Sequence, residues 1–434
     1  MPEAARSEAF TTPHSSELRV LVVSSKYPPE YSGSGHRAHA TYKRLSRKFG
    51  VSFDVLAGSV AFNTSESYTC DGVGVQRIAR KLRSGAAVAV GPEARQTSFI
   101  NRLAHQARSH VDFLSESYSA FRFLMQRRDR YDLFHVFGDV AVTSAAIRFA
   151  KRSRTPLLVE FTSDRPTPYP YAPGIVRRVW RGRLPEWAKI VCISEKLAKM
   201  CRDHGYVDNV WSRPNPVDET RFFPEPARKF KYRKRHTEFG NNDIVLCYVA
   251  KFMPSKNQVF LIDVLRQLPH HYKLLLGGPL STTGPLSTRD RAYLDRTQAA
   301  ITRYGLDDRV KVVSGFINRP DEYMKASDVY VFPSIVEGLG TPVLEAIACG
   351  MPVVANRIEG VTDRWITDGM SGYLADLNVT EFSEKIASAT RIPPDALMAR
   401  SEAVLEAAST QVIDRTYWKI LNDLSKREIV RRQD

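Results

Sequence analysis

Residues 331–356 read VFPSIVEGLGTPVLEAIACGMPVVAN, a strand end, a glycine loop, a short helix and a second strand without a gap. Val329, Tyr330, Val331 and Phe332 form a β-prone apolar run, and Pro333-Ser334 stops it because proline cannot donate to a sheet ladder. The loop Glu337-Gly338-Leu339-Gly340 follows, and its two glycines allow positive φ and close approach of a ligand to the backbone. Thr341 is expected as a helix N-cap, Pro342 as the first helical residue, Val343 to Cys349 as the body and Gly350 as the stop. Val353-Val354-Ala355 then re-enters a buried sheet. A glycine loop running into a helix start presents N–H groups and the positive end of a dipole, which suits a phosphate. Glu337 and Glu345 flank that start. A carboxylate beside a phosphate is unfavourable unless it accepts hydrogen bonds from sugar or ribose hydroxyls. The pattern therefore suits a ligand with hydroxylated ends and phosphates between them, the form of a nucleotide sugar. It also suits a plain βαβ unit with two solvated glutamates.

The wording of the stretch goes further. It resembles the donor-binding signature of the group 1 glycosyltransferases, family 4, P-S-x-x-E-G-F-G-x-x-x-x-E-A-x-A-x-G-x-P-V-V. Pro333, Ser334, Glu337, Gly338, Gly340, Glu345, Ala346, Ala348, Gly350, Pro352, Val353 and Val354 match, and Leu339 replaces the usual phenylalanine. The resemblance implies the α/β GT-B fold, two facing Rossmann-like domains with parallel sheets and a C-terminal helix returning to the first. It implies a retaining enzyme that moves a sugar from a nucleotide diphosphate sugar to a hydroxyl acceptor, a glycan or lipid-linked glycan of cell-surface polysaccharide synthesis or a small molecule.

A length of 434 residues exceeds what one core serves and fits two domains. Hydrophobic content of 43% and charged content of 25% are ordinary for a soluble chain, and no apolar run approaches the ~20 residues of a membrane span. Residues 1–17 read as a disordered lead-in with no signal-peptide pattern, so a cytoplasmic location is expected. The five cysteines, Cys70, Cys192, Cys201, Cys247 and Cys349, include no C-x-x-C pair, and neither a disulfide framework nor a zinc site follows. No D-x-D triplet or metal-ligand cluster is evident, so no metal and no cofactor are expected.

The formal net charge is +16, from 63 basic and 47 acidic residues. Basic clusters stand at 151–154, at Arg177, Arg178, Arg181 and Arg183, at 228–235 and in the tail. An anionic membrane surface, a nucleic acid or a polyanionic substrate would each account for them, as would dispersed solvated charge. No nucleic-acid module is present. Trp180 and Trp187 beside the second cluster point to the inner face of a membrane as a peripheral contact.

Along the chain, LRVLVVSS at 18–25 is a buried parallel strand and leads into the loop KYPPEYSGSGHRAHA, with a helix expected from about Arg37 to Lys48. In the family this loop crosses the cleft and offers N–H groups to the diphosphate, which assigns Gly33 and Gly35 to donor binding. Residues 112–127 carry Phe113, Leu114, Tyr118, Phe121, Leu124 and Met125 near the helical period, as core or acceptor wall. YDLFHVF at 131–137 is a strand ending in Gly138-Asp139, and PLLVE at 156–160 is the next. His135 corresponds to a histidine common in the family strand, and His135 and Asp139 are assigned to the acceptor side. Many members carry a second histidine about six residues after Pro156, where this chain has Thr162; Thr162, Glu160 or Asp164 would take its place.

The prolines at 214, 216, 224 and 226 and the basic run after them read as a linker, giving domains over 18–220 and 221–410 with a returning helix at 411–434. After strand 244–249, the segment Lys251 to Lys256 resembles the family's G-R-L-x-x-x-K, with Lys251 in place of arginine. The resemblance and the charges together assign Lys251 and Lys256 to the diphosphate, with the amides of Gly33, Gly35, Gly338, Gly340 and Thr341. Glu345 would hold the ribose, and Glu337 the transferred sugar; Glu337, Lys251 and Lys256 form the expected catalytic set. A nucleotide-sugar binding protein without turnover is the alternative. A nicotinamide-dependent dehydrogenase would need G-x-G-x-x-G, and the loop ends in Ala38 instead.

Overall fold

The computed structural model describes residues 18–30, 32–59, 62, 64–79, 99–162, 167–170, 172–173, 182–280 and 285–433. The expected lead-in over 1–17, Asp164, and Arg177, Arg178, Trp180 and Arg181 of the second basic cluster lie outside them. The chain forms two compact units, one of Met1–Ile193, Leu197–Ser212 and Asp414–Asp434, the other of Ser194–Lys196 and Arg213–Ile413.

The first unit contains β1 (Arg19–Ser24), α1 (Gly33–Phe49), β2 (Ser52–Gly58), β3 (Glu66–Cys70), β4 (Val73–Ile78), α2 (Phe99–Gln126), β5 (Leu133–Phe137), α3 (Ala141–Ser153), β6 (Leu157–Phe161), β7 (Lys189–Cys192), most of α4 (Glu195–Asp203) and β8 (Val210–Ser212). The strands order as β3-β4-β2-β1-β5-β6-β7-β8. All neighbours are parallel except β3 and β4. Uninterrupted apolar strands such as β1 and β5 are buried on both faces, as helices over both sides of a parallel sheet require. The order runs outward both ways from β1 and β5, so the switch point of this sheet lies between them.

Two sequence expectations change here. Helix α1 begins at Gly33, not near Arg37, because Ser32 is its N-cap and accepts from the Gly35 amide at 2.9 Å. Helix α2 runs for 28 residues from Phe99, well before the expected start. Its buried face carries Phe113, Ala120, Phe123 and Leu124, whereas Val111, Leu114, Tyr118 and Met125 are exposed, Tyr118 at 70%. The apolar stripe read as core or acceptor wall therefore divides between core and surface.

The second unit contains α5 (Lys229–His236), β9 (Ile244–Val249), α6 (Gln258–Gln267), β10 (Tyr272–Gly278), α7 (Pro285–Arg303), β11 (Val310–Ser314), α8 (Pro320–Lys325), β12 (Val329–Phe332), α9 (Thr341–Ala348), β13 (Val353–Asn356), β14 (Gly372–Ala375), α10 (Val379–Ala389) and α11 (Pro394–Ala408). Its six strands are parallel in the order β11-β10-β9-β12-β13-β14, with the switch point between β9 and β12.

The basic run expected in the linker is instead α5, folded into this unit. Arg233 is 1% exposed and donates to the carbonyls of Ala326, Gly240 and Asp243 and to Asp328. Lys229 also pairs with Asp328, and Arg235 with Glu322 at 2.9 Å. Three of these charges are thus spent inside the unit.

The last helix, α12 (Thr410–Gln433), belongs to the first unit from Asp414 onward. Asp414 is fully buried and accepts from Arg44 Nε at 2.9 Å and Lys48 Nζ at 3.0 Å. Trp418 stacks on Phe49 with centroids 5.4 Å apart, and the Tyr417 hydroxyl donates to Glu160. The expected return of the C-terminal helix to the first domain is what the fold contains.

Candidate active site

In an open α/β sheet, ligands bind beyond the carboxyl ends of the strands at the switch point. In the second unit that place is formed by the loops after the neighbours β9 and β12, and these carry Lys251 and Lys256 on one and Glu337 to Thr341 on the other. Residues 81 apart in sequence meet there, the Lys256 ammonium pairing directly with the Glu337 carboxylate. The loops are joined by backbone as well, Ile335 N–H donating to the Ser255 carbonyl at 2.9 Å.

The first loop turns through Asn257, in the left-handed region at φ 58, and the buried Gln258 amide donates to the Lys251 carbonyl at 3.0 Å. Lys251 Nζ lies 2.8 Å from Asp290, a fully buried carboxylate on α7 that also accepts from Arg289 at 2.8 Å. Nothing in the local sequence marked Asp290; an isolated aspartate in a helix carries no motif.

The second loop ends differently from the expectation. Gly340, not Thr341, is the N-cap of α9, at φ 71, and Pro342 lies within the first turn. A side chain at Gly340 would meet the Phe332 ring at 3.2 Å. Thr341 Oγ1 accepts instead from Asn215 Nδ2 at 2.6 Å, and Asn215, 1% exposed, is held by Arg213 at 3.2 Å. Asn215 stands between the linker prolines 214 and 216, 126 residues before Thr341, and no local motif signals its bond to the helix start. Leu339 is packed inside, and the buried Ser334 hydroxyl meets Tyr248 at 2.8 Å. Burial pushes the Tyr248 phenol far up, so it stays protonated. Gly338 and Glu345 are half-buried, Glu345 one turn into α9.

In the first unit, Gly33 and Gly35 occupy the first turn of α1, following β1; Asp139 is exposed after β5, and Thr162 half-buried after β6. A Cβ at Gly35 would collide with the Lys26 carbonyl, which fixes glycine there. His135 does not join these loops. It is fully buried, with Nδ1 2.8 Å from the Tyr42 hydroxyl, Nε2 3.4 Å from Glu160, and its ring against Phe137 at 4.1 Å. Glu160 is 1% exposed in the same packed network, so of the replacements considered for the family histidine only Thr162 is both described and accessible.

Among the described residues, one group of metal-ligating side chains is close enough to share an ion: His39, Cys70 and Asp71, in the first unit. No local motif marks this group, since residue 39 and residues 70–71 meet only through the fold.

Residues 229–404 match the family model for glycosyl transferases group 1. A GDP-mannose-dependent alpha-(1-6)-phosphatidylinositol monomannoside mannosyltransferase of Mycolicibacterium smegmatis is 32% identical over 178 residues, 38% of this chain and 42% of the relative. A UDP-Gal:alpha-D-GlcNAc-diphosphoundecaprenol alpha-1,3-galactosyltransferase of Escherichia coli is 25% identical over 198 residues, 44% of this chain and 48% of the relative. The matched region thus spans less than half of these relatives' length. The crystal structure of Anabaena HepE with UDP and glucose superposes at a TM-score of 0.67 and 18% identity, over 94% of this chain and all of that one. That likeness extends to both units and shows the fold.

Proposed function

We propose that this chain, a group 1 glycosyltransferase of the GT-B fold, transfers a hexose from a nucleoside diphosphate sugar to a hydroxyl acceptor, with retention and without a metal. The observation that carries this reading is the convergence of Lys251, Lys256, Glu337 and the start of α9 at one switch point. As the bond between sugar and diphosphate breaks, negative charge grows on the phosphate oxygens. Lysine ammonium groups and the amides of Gly340 and Thr341 are fixed donors for that charge. Glu337 then exchanges Lys256 for hydroxyls of the transferred sugar, and Glu345 receives the ribose. Gly33 and Gly35, with Thr162 and Asp139 on the acceptor side, belong to the same scheme.

The relatives named above act with GDP-mannose and UDP-Gal, and on acceptors joined to lipid. A UDP- or GDP-hexose and a lipid-linked glycan are accordingly the substrates proposed. No described helix is long and apolar enough to cross a membrane. The exposed Val111, Leu114, Tyr118 and Met125 of α2, beside the exposed Arg108 and Arg122, support peripheral contact with an anionic cytoplasmic bilayer face, joining apolar insertion to basic charge.

The test is a panel of UDP-, GDP- and ADP-hexoses, scored for thermal stabilisation and for release of nucleoside diphosphate with and without lipid-linked glycan. One donor should both stabilise the protein and yield its diphosphate. Stabilisation with no release on any acceptor would replace this reading with that of a binding protein.

A further inference from the structure

Strand β3 stands at the edge of the first sheet, mostly exposed, and pairs with β4 through a tight turn at Asp71 (φ 49) and Gly72 (φ 80). Cys70 closes that strand, and His39 of α1 faces the turn. A ring nitrogen of His39, Cys70 Sγ and an Asp71 carboxylate oxygen all lie within 4.8 Å of one another. His39 Nε2 is 3.0 Å from Asp71 Oδ2. The other ring nitrogen, Nδ1, is 2.6 Å from the hydroxyl of Tyr27, which is 1% exposed and packs edge-on against the imidazole. A buried polar partner on the far nitrogen is what fixes the ring of a metal-bound histidine. The His39 side chain is 14% exposed and that of Asp71 72%, so solvent reaches the trio.

The donor set selects the ion. One sulfur, one imidazole nitrogen and one carboxylate oxygen suit Zn2+ and Co2+, and the sulfur disfavours Mg2+ and Ca2+. Ligand atoms around a tetrahedral zinc stand about 3.3–3.8 Å apart, given bonds of ~2.0–2.3 Å. With all separations within 4.8 Å, the trio has to contract by at most about 1 Å, within reach of side-chain rotation.

We propose that His39, Cys70 and Asp71 form a divalent-metal site of the zinc class that clips the β3–β4 turn to α1, with water in the fourth position. As the sulfur–metal bond forms, the Cys70 proton leaves to solvent. The metal takes Nε2, and the imidazole proton resides on Nδ1, donating to the Tyr27 oxygen. Thiolate and carboxylate together balance the two positive charges. Lys43, which donates to the Asp71 carbonyl at 2.8 Å, adds a cation that favours the thiolate. Burial, with Asp71 beside it, pushes the Cys70 thiol up, so the metal-free protein keeps the proton. Because α1 begins at Ser32 and Gly33, the clip bears on the helix whose first turn follows β1.

The experiment is a Co2+ titration of the metal-stripped full chain, followed by Zn2+ competition. One equivalent should bind with a thiolate-to-cobalt band in the near ultraviolet. The other four cysteines are buried, so the band reports Cys70. Cys70→Ser should abolish it, His39→Ala should weaken Zn2+ binding at least tenfold, and Zn2+ should raise the melting temperature of the wild type alone. Circular dichroism checks that both variants fold. Absence of the band in the wild type, or an unchanged band and affinity in Cys70→Ser, overturns the site.

Discussion

Replacing Lys256 by alanine tests the centre of the proposed donor site. The Lys256 and Glu337 side chains are 22% and 12% exposed, so their pairing is partly shielded, and at an effective dielectric near 20 two unit charges 4 Å apart attract by about 4 kcal/mol before desolvation is subtracted. A diphosphate has to draw Lys256 from that partner, so the net gain lies well below the gross attraction. A charge-assisted hydrogen bond contributes about 1.5–3 kcal/mol net, and the competition with Glu337 places Lys256→Ala at the lower end, roughly a tenfold loss of affinity. Glu337→Gln removes the competitor while keeping the shape. It should bind nucleoside diphosphate at least as tightly as the wild type, while transfer from the sugar donor slows. Calorimetry with UDP and GDP measures the first effect, and product release under donor saturation the second. Wild-type nucleotide affinity in Lys256→Ala, or an equal loss in Glu337→Gln, would refute the assignment and leave the pair a structural link between two loops.

Three further outcomes are expected. EDTA should leave transfer intact, and a loss restored by Mn2+ would overturn the metal-free reading; His39→Ala is the control for any effect arising at the proposed clip. Gly340→Ala places a side chain at φ 71 against Phe332, which costs about 1–2 kcal/mol and should lower both the melting temperature and nucleotide affinity, whereas an unchanged protein would refute the cap geometry. Burial acts to raise the Asp321 carboxyl, but bonds from Arg319 and Arg221 outweigh it and hold the group below its usual range. Its stabilisation is therefore present above the unfolded pKa of ~3.9 and lost as pH falls through the lower folded value; Asp321→Asn should flatten that acid limb in urea melts, and an unaltered limb counts against the pairing.

What was legible in the sequence follows from what a buried parallel sheet demands. β1, β9, β10, β12 and β13 could be read because a strand covered on both faces needs an uninterrupted apolar run. The glycine loop could be read because few other sequences permit that turn. Helix starts were less legible. Gly33 and Gly35 have poor helix propensity, and the cap at Ser32 overrode it. The basic run 229–236 looked like solvated linker because composition cannot reveal that Asp328 and four carbonyls await Arg233 roughly a hundred residues later or in the next loop. His135 sits in a strand with no polar alternation, and whether its ring reaches a cleft or the core depends on Tyr42 and Tyr417, from two distant helices.

Lys251 and Lys256 are both held by carboxylates, but the pairs are not equivalent. Asp290 is fully buried, and its removal from water is compensated by Lys251 and Arg289. A ligand that drew Lys251 away would leave a buried charge short of a partner, and breaking such a pair costs about 3–5 kcal/mol. Lysine has three donors, so Lys251 is expected to keep Asp290 and reach a phosphate with another N–H. Glu337, on a glycine loop with its side chain 12% exposed, can exchange Lys256 for a sugar hydroxyl once a phosphate takes the lysine, because neither group is then left buried without a hydrogen-bond partner. One pair is therefore a fixed support and the other an exchangeable contact. Asp290→Asn should lower the melting temperature by several degrees and weaken nucleotide binding with it, whereas Glu337→Gln should leave the melting temperature within a degree or two. If thermal denaturation ranks the two variants the other way, Lys256 and Glu337 are the structural pair, and Lys251 is the residue free to change partners.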